Sequence, residues 1–258
     1  MNGANTPFPL SDRQLSLRFD CDFSAIPPGQ TAVVETPLRL VAEEHFSYVR
    51  ALWWVWLADG RSVVSVPPGA GREVAALVTG ITDPCLVYDP ALAAALRRVI
   101  DRVLREAGLP GTHGVFADRC FAGNADLLRR AAAGDCRRLT EVTLPHAEGL
   151  WWPPQCIEEG VAYGVMADEM VVAIAYAHRT ATMPDRVADI AVCTAEPYRR
   201  RGYARTAVTA LVAHCTRTGG EVRYTCDIDN SASIATARSV GFVAYGASLL
   251  MLTKPERI

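Results

Sequence analysis

Four arginines surround two small residues in the stretch Arg199–Arg205, which reads Arg-Arg-Arg-Gly-Tyr-Ala-Arg. Gly202 has no Cβ and Ala204 has only a methyl group, so a bulky anion can approach the main chain closely there. If a helix begins at this point, its first N–H groups have no partner within the helix and lie at the positive end of its dipole. Such amides, with guanidinium groups around them, would bind a diphosphate. The alternative is a surface turn whose arginines are merely solvated.

Two predicted elements would hold these residues in place. Residues 187–194 are mostly apolar and rich in β-branched side chains, which predicts a largely buried strand that ends before Pro197. Apolar residues then recur with helical spacing from Ala204 to Cys215, and Gly219-Gly220 would end this helix. A position between a buried strand and an amphipathic helix favours anion binding over the solvated turn. The candidate anion-binding residues are Arg199, Arg200, Arg201, Gly202, Tyr203, Ala204 and Arg205.

One carboxylate lies inside the predicted strand. Asp189 is flanked by apolar residues, and an unpaired carboxylate buried there would cost several kcal/mol. It therefore either has a partner, such as an arginine or the main chain, or it faces a cavity where it can contact a substrate. Because side chains alternate along a strand, Asp189 shares its face with Ala191 and Cys193.

Composition excludes several classes of function. The chain has 258 residues, half of them hydrophobic, and a net charge of −2, so no overall field would attract nucleic acid or an anionic membrane. It contains no apolar run of about 18 residues. It also lacks a basic segment followed by an apolar one at its beginning, which favours a cytoplasmic protein without a membrane partner. The cysteines and histidines show no metal-ligand spacing, so we expect reduced thiols and no metal.

The predicted elements point to one fold class. Strands and helices alternate only in the middle of the chain, which predicts an α+β fold with a mixed sheet. Helices are expected at residues 90–107 and 124–133, a strand at 141–144, and a hairpin around Asp168-Glu169. The segment Leu109–Thr112 is typical of a linker. We therefore expect two domains, residues 1–110, whose role the sequence does not indicate, and residues 111–258.

Two features of the first half have competing interpretations. Residues 54–66 share a strand-turn-strand layout with residues 163–174. The first half is therefore either a degenerate copy of the second or contains an unrelated hairpin. The glycine-rich stretch at 67–71 precedes a predicted helix, but it lacks the Gly-Lys-Ser/Thr ending of a phosphate loop, which favours a plain turn.

Two motifs together resemble a known family. The stretch Arg199–Ala204 resembles the pyrophosphate loop of the GNAT superfamily of acyl-CoA-dependent N-acyltransferases, which reads Gln/Arg-x-x-Gly-x-Gly/Ala. Downstream, Cys226–Ile234 and Ser239–Phe242 resemble the family's strand, its Asn-x-x-Ser/Ala-Ile motif and its helix ending in Gly-Phe. Two ordered motifs are more specific than one, and the resemblance covers residues 150–258 well. It implies a GNAT-like mixed, mostly antiparallel sheet flanked by helices, with an N-terminal α/β extension or degenerate GNAT-like subdomain.

The resemblance also implies a reaction and a set of binding residues. It implies transfer of an acetyl group from acetyl-CoA, or another acyl-CoA, to an amine of a small molecule or peptide by direct attack in a ternary complex. In the family, the strand that corresponds to 187–194 diverges from its neighbour and its main chain pairs with pantetheine. The residues carried over by the resemblance are Val192, Cys193 and Thr194 at the strand end, with main-chain contacts from Val192 and Thr194, and Asn230 and Ser233 for the coenzyme arm. Asn230 is also expected to cap the last helix.

The catalytic groups are less complete than the binding groups. A protonated amine has no lone pair, so attack on a thioester needs a base, and the resemblance makes Asp189 the candidate. Many relatives carry a tyrosine seven residues after the asparagine, where it protonates the leaving thiolate, but Ala237 stands there. Ser233 and Tyr245 are the nearest hydroxyl groups in sequence. The missing tyrosine leaves two alternatives open: a non-catalytic acyl-CoA-binding or sensor module, and other thioester chemistry such as O-acylation or decarboxylation.

The sequence leaves several properties undecided. It does not indicate which amine is the acceptor, how long the acyl chain is, or whether the protein is a monomer or a homodimer.

Overall fold

The computed structural model describes residues 12–42, 48–123, 136–140, 145–152, 154–158, 161–178, 187–217 and 221–254. The strands in this part of the chain are β1 (Thr31–Glu35), β2 (Val49–Leu57), β3 (Ser62–Val66), β4 (Gly114–Gly123), β5 (Cys136–Arg138), β6 (Ala162–Ala167), β7 (Met170–His178), β8 (Val187–Thr194), β9 (Glu221–Asp227) and β10 (Val243–Thr253). The α-helices are α1 (Asp12–Phe19), α2 (Gly71–Val78), α3 (Pro90–Glu106), α4 (Pro154–Glu158), α5 (Tyr203–Arg217) and α6 (Ser231–Val240). Helices flank strands that pair mostly in antiparallel fashion, which confirms the α+β class.

The chain divides into two compact units. The first comprises Met1–Cys120, Thr180–Pro184 and Tyr245–Ile258, and the second comprises Phe121–Arg179 and Asp185–Ala244. This division differs from the predicted boundary after residue 110. The difference at the end of the chain has a direct cause, because β10 pairs with β2 in antiparallel register and so joins the first unit.

In the first unit the strands follow the order β1-β3-β2-β10-β4. Strand β1 runs parallel to β3, whereas β2 is antiparallel to both β3 and β10. The core consists of apolar side chains from these strands and from α2 and α3, among them Trp54, Val64, Val74, Leu96 and Ile100. Helix α3 confirms the helix predicted at 90–107, and it begins where Asp89 Oδ1 accepts a hydrogen bond of 2.8 Å from the Leu92 amide.

The amides of the glycine-rich loop before α2 already bind a carboxylate side chain of the protein itself. The Glu35 carboxylate accepts hydrogen bonds through Oε1 from the amides of Gly69 and Gly71, at 3.1 and 2.6 Å. A Cβ on Gly71 would come within 2.7 Å of that oxygen, so a larger residue here would displace the Glu35 carboxylate. The amides that a phosphate would need are therefore occupied, which favours the turn over the phosphate loop.

In the second unit the strands follow the order β9-β8-β7-β6-β5. Strand β8 runs parallel to β9, and the remaining neighbours are antiparallel. Helix α5 packs across β6, β7 and β8, and buries Ala207, Val208 and Leu211 in a core that also contains Ala237 and Val240 of α6. This core fixes both helices against the sheet.

The predicted hairpin around Asp168-Glu169 is confirmed. The two residues join β6 to β7, and both have positive φ angles, 50° and 62°. Two-residue hairpin turns with positive φ at both positions match the twist of the flanking strands.

Three other predictions, the helix at 124–133, the strand at 141–144 and the Gly219-Gly220 helix end, lie outside the described residues. None of the described helices combines the length and the apolar character that crossing a membrane requires.

The Glu35 contact predicts a measurable stability difference. We expect Glu35→Ala to lower the free energy of unfolding by about 1 kcal/mol, because the amides at the start of α2 lose their acceptor. Glu35→Gln keeps an acceptor oxygen and should lose less. Urea denaturation of the full chain measures both, and equal stability of the wild type and Glu35→Ala would contradict the role assigned to this carboxylate.

Candidate functional site

Strand β8 separates from β9 halfway along its length. The paired residues run from Val187 opposite Glu221 to Ile190 opposite Tyr224, and no pair follows among the described residues of the two strands. On its other edge β8 stays paired with β7 as far as Thr194. The second half of β8 therefore has one edge that the sheet leaves open.

The register with β7 shows which main-chain groups face that open edge. The Ala195 amide donates to the Val172 carbonyl at 3.0 Å, which makes this an opposed, hydrogen-bonded pair. Hydrogen-bonded and non-hydrogen-bonded pairs alternate along an antiparallel ladder. Val192 and Thr194 therefore belong to the non-hydrogen-bonded pairs, and their N–H and C=O groups are directed away from β7.

Thr194 also carries an unsatisfied side chain. Its Oγ1 is buried and has no hydrogen-bond partner in the described part of the chain. A buried hydroxyl without a partner costs about 1–3 kcal/mol.

Beyond β8 the chain forms a short 3₁₀ turn, Glu196–Tyr198, and then the arginine-rich loop. The consecutive amides from Arg200 to Arg205 have no partner among the described residues, and the first amide of α5 to bond back is Thr206, which donates to Gly202 at 3.1 Å. Arg200 and Gly202 have φ angles of 63° and 85°, and the first turn of α5 contains no acidic residue. Amides in such a turn, at the positive end of a helix, form an anion-binding concavity.

The space beside Gly202 is open. A Cβ placed on Gly202 would have no protein atom within 4 Å. The loop arginines Arg199, Arg200, Arg201 and Arg205 are all exposed. The residues present therefore fit a diphosphate, and its binding at this loop stays a prediction.

Contacts made by Arg199, Arg201 and Tyr198 hold the loop in position. Arg199 Nε donates to the Thr194 carbonyl at 3.2 Å, and the Arg201 guanidinium lies over the Tyr198 ring at 5.5 Å. The Tyr198 hydroxyl donates to Asp168 Oδ2 at 3.0 Å, and this hydrogen bond raises the pKa of the phenol. The loop is thus connected both to the end of β8 and to the β6–β7 turn.

The second motif forms the start of α6. Asn230 Oδ1 accepts a hydrogen bond of 3.0 Å from the Ser233 amide, which confirms the predicted cap. The Ser233 side chain forms a hydrogen bond of 2.7 Å with the Tyr224 hydroxyl. Sequence reasoning missed Tyr224, although its position in the strand just before the asparagine motif is a usable signal. Ala237 is fully buried in the core.

Asp189 has the arginine partner that was one of its two alternatives. Its carboxylate accepts from Arg223 Nε at 2.6 Å and from Arg223 Nη2 at 3.3 Å. The two residues lie opposite each other in β8 and β9, and both side chains are 8 % exposed. This geometry favours the structural role, and the role of general base stays a prediction. Arg223 was also missed, although it is the one basic residue of β9.

No cluster of three or more His, Cys, Asp or Glu side chains suited to a metal ion occurs within the described ranges.

Comparison with known proteins bears on the second half of the chain. A family model described as Acetyltransferase (GNAT) domain matches residues 128–243. No curated protein matches the sequence.

Three solved structures resemble parts of the chain. A protein from Novosphingobium aromaticivorans assigned to the GNAT family of acetyltransferases is 22 % identical, with a TM-score of 0.48, over 57 % of this chain and 67 % of that one. A GNAT-family acetyltransferase from Colwellia psychrerythraea is 16 % identical, with a TM-score of 0.45, over 54 % of this chain and 57 % of that one. A GCN5-related N-acetyltransferase from Kribbella flavida is 17 % identical, with a TM-score of 0.41, over 65 % of each chain.

The chain thus spans between 57 % and 67 % of the length of these structures. Because the identities are low and the TM-scores lie below 0.5, these structures add no support to the family match. Residues 128–243 match the model of a GNAT acetyltransferase domain, which confirms the resemblance seen in the C-terminal half.

Proposed function

We propose that the second unit is an N-acyltransferase that moves an acetyl group from acetyl-CoA to an amine of a small molecule or peptide. The observation that supports this most strongly is the run of unpaired amides from Arg200 to Arg205 beside the open edge of β8. The match to a GNAT acetyltransferase domain supports the same function.

The coenzyme would be held by three parts of the unit. The amides and exposed arginines at the start of α5 would bind its diphosphate. The main-chain groups of Val192 and Thr194 would pair with the amides of the pantetheine arm, much as an added strand pairs with a sheet edge. Asn230 and Ser233 at the start of α6 would contact the same arm. Bound in this way, acetyl-CoA supplies an activated acyl group as a thioester.

The reaction then depends on position. Holding the amine and the thioester together converts an encounter in solution into attack within one complex. Main-chain N–H groups at the open edge of β8 could polarise the thioester carbonyl. The amine must lose a proton before it attacks, and Asp189 is the candidate base.

A second candidate function is a binding module that holds acyl-CoA without turnover. Ala237 favours it, because this buried methyl group cannot protonate a leaving thiolate. The ion pair of Asp189 with Arg223 favours it too, because both carboxylate oxygens are engaged.

Gly202 provides a test of coenzyme binding. We expect Gly202→Val to weaken CoA binding by at least about tenfold, because the new side chain fills the space in front of the amides. Gly149 is the matched control, since it lies in the same unit, has a φ of 79° and has equally open surroundings. Gly149→Val therefore carries the same backbone strain away from the loop. Calorimetry with CoA measures both, and equal affinities in the two variants would refute the loop assignment.

Thiol release separates transfer from binding alone. With acetyl-CoA and a panel of polyamines, aminoglycosides, amino acids and peptides, we expect at least one amine to release free thiol above the background rate of hydrolysis. A colorimetric thiol assay follows the reaction. Tight binding of CoA with no release on any amine would support the binding module instead.

Substitutions of Asp189 can distinguish its structural role in the ion pair from a role as general base. We expect Asp189→Asn to lower the free energy of unfolding by about 3 kcal/mol, because Arg223 loses its bidentate carboxylate inside the sheet. Asp189→Leu combined with Arg223→Met should recover most of that loss. If Asp189 is the base, the double variant will fold and bind CoA, yet its turnover will fall by about a hundredfold or more. Urea denaturation and the thiol assay together decide between the roles.

A further inference from the structure

The second unit contains a pair of hydrogen-bonded hydroxyl groups, and of the two only Ser233 has a proposed role so far, as a contact of the coenzyme arm. The Tyr224 hydroxyl and Ser233 Oγ are 2.7 Å apart. Tyr224 is 1 % exposed. Its ring packs edge-on against Phe121, with the ring centroids 6.4 Å apart, and against Phe242, with the centroids 5.6 Å apart. Packing on both sides fixes the phenol, so its hydroxyl has a defined position.

The pair lies where β8 and β9 separate. Tyr224 is the last residue of β9 that pairs with β8, opposite Ile190. Ser233 is half-buried in the first turn of α6, and its amide is held by the Asn230 cap. The Tyr224 side chain therefore begins where the open edge of β8 starts, and its hydroxyl meets Ser233, which is half-buried.

We propose that Tyr224 and Ser233 form the proton-donating pair that protonates the sulfur released from the acyl donor. This inference rests on the proposed acyl-CoA transfer. As the amine nitrogen bonds to the acyl carbon, the carbon–sulfur bond breaks and its electron pair goes to sulfur. Ser233 gives its hydroxyl proton to that sulfur and takes the proton of the Tyr224 hydroxyl. Water restores the phenol, and the proton lost by the amine passes to water, so the protons balance.

Helix α6 offers no phenol of its own at this place. Ala237 lies one turn after Ser233, is fully buried and has no proton to give. Tyr245, the other tyrosine near this motif in sequence, belongs to the first unit. The phenol comes instead from strand β9, and the Tyr224 hydroxyl contacts α6 through its hydrogen bond with Ser233.

The protonation state of the Tyr224 phenol is the one that a proton donor needs. Burial raises the pKa of Tyr224 to about 12, although the hydrogen bond with Ser233 acts in the opposite direction. Because the pKa is raised above its ordinary value of about 10, the phenol keeps its proton throughout the neutral and mildly alkaline range.

A binding experiment tests the pair without requiring turnover. The probes are CoA and desulfo-CoA, in which hydrogen replaces the thiol, measured by calorimetry on the full chain at about pH 9, where much of a free thiol is ionised. We expect the wild type to prefer CoA by about fivefold or more, because hydroxyl donors stabilise a thiolate. Tyr224→Phe should bring the ratio close to one while the affinity for desulfo-CoA stays within about twofold. Ser233→Ala should also bring the ratio close to one, whatever it does to the affinity for the coenzyme arm that both probes share.

Turnover gives the second readout. Tyr224→Phe should lower kcat by about tenfold or more with little change in KM for acetyl-CoA. Combining it with Ser233→Ala should add little, since the two groups act as one unit. Tyr163→Phe is the matched control, because it also removes a hydrogen-bonded tyrosine hydroxyl of this unit, one that contacts His214 Nδ1 at 3.2 Å, and it should leave both readouts unchanged.

The outcomes separate this inference from the proposed function. If the wild type binds neither probe, the assignment of the coenzyme site fails. If it binds both, and Tyr224→Phe retains the preference for CoA over desulfo-CoA, the proton-donating pair is overturned while coenzyme binding stands. Circular dichroism checks that each variant is folded, and Ser233→Thr, which keeps a hydroxyl, should restore the preference for CoA if the pair acts as proposed.

Discussion

The separation of β8 from β9 is the constraint on which the candidate site depends. A main chain inside a protein must find hydrogen-bond partners, and almost all buried amides and carbonyls do. Between Ile190 and Thr194 the chain keeps β7 on one side and gives up β9 on the other. The amides from Arg200 to Arg205 then add a second set of unpaired groups directly afterwards. Apart from the Thr194 carbonyl, which accepts from Arg199, these main-chain groups are available to hydrogen-bond a ligand.

Two contacts connect the strands just before they separate. Asp189 and Arg223 form an ion pair across the two strands, one residue before the last pair of the ladder. Ile190 and Tyr224, the last pair, are both buried in the core. The ion pair therefore has a positional meaning even without a catalytic one, since it joins the two strands one residue before their ladder ends. A buried ion pair is a weak source of stability, but a specific one, because each partner is costly to bury alone.

Both units contain a helix whose first amides need an acceptor from outside the helix, and the two units differ in whether the chain supplies one. In each, a strand leads through a glycine-containing loop into a helix, β3 into α2 and β8 into α5. At α2 the amides of Gly69 and Gly71 are taken by Glu35, a carboxylate of the same chain. At α5 no described residue supplies such a group, and arginines surround the loop instead. Whether a helix start can bind an external anion is therefore decided by the competing carboxylate, more than by the glycines of the loop.

This difference explains what the sequence could and could not predict. The start of α5, the hairpin at Asp168-Glu169 and the Asn230 cap follow from neighbouring residues, so local patterns were sufficient. Arg223, the Glu35 contact and the place of β10 depend on the register between segments far apart in the chain. Alternation predicts which face a residue occupies, but not which residue of another strand lies opposite it. A charge in each of two parallel strands suggests an ion pair, yet only a known register shows that Asp189 and Arg223 meet, and the same register places Tyr224 where the strands part.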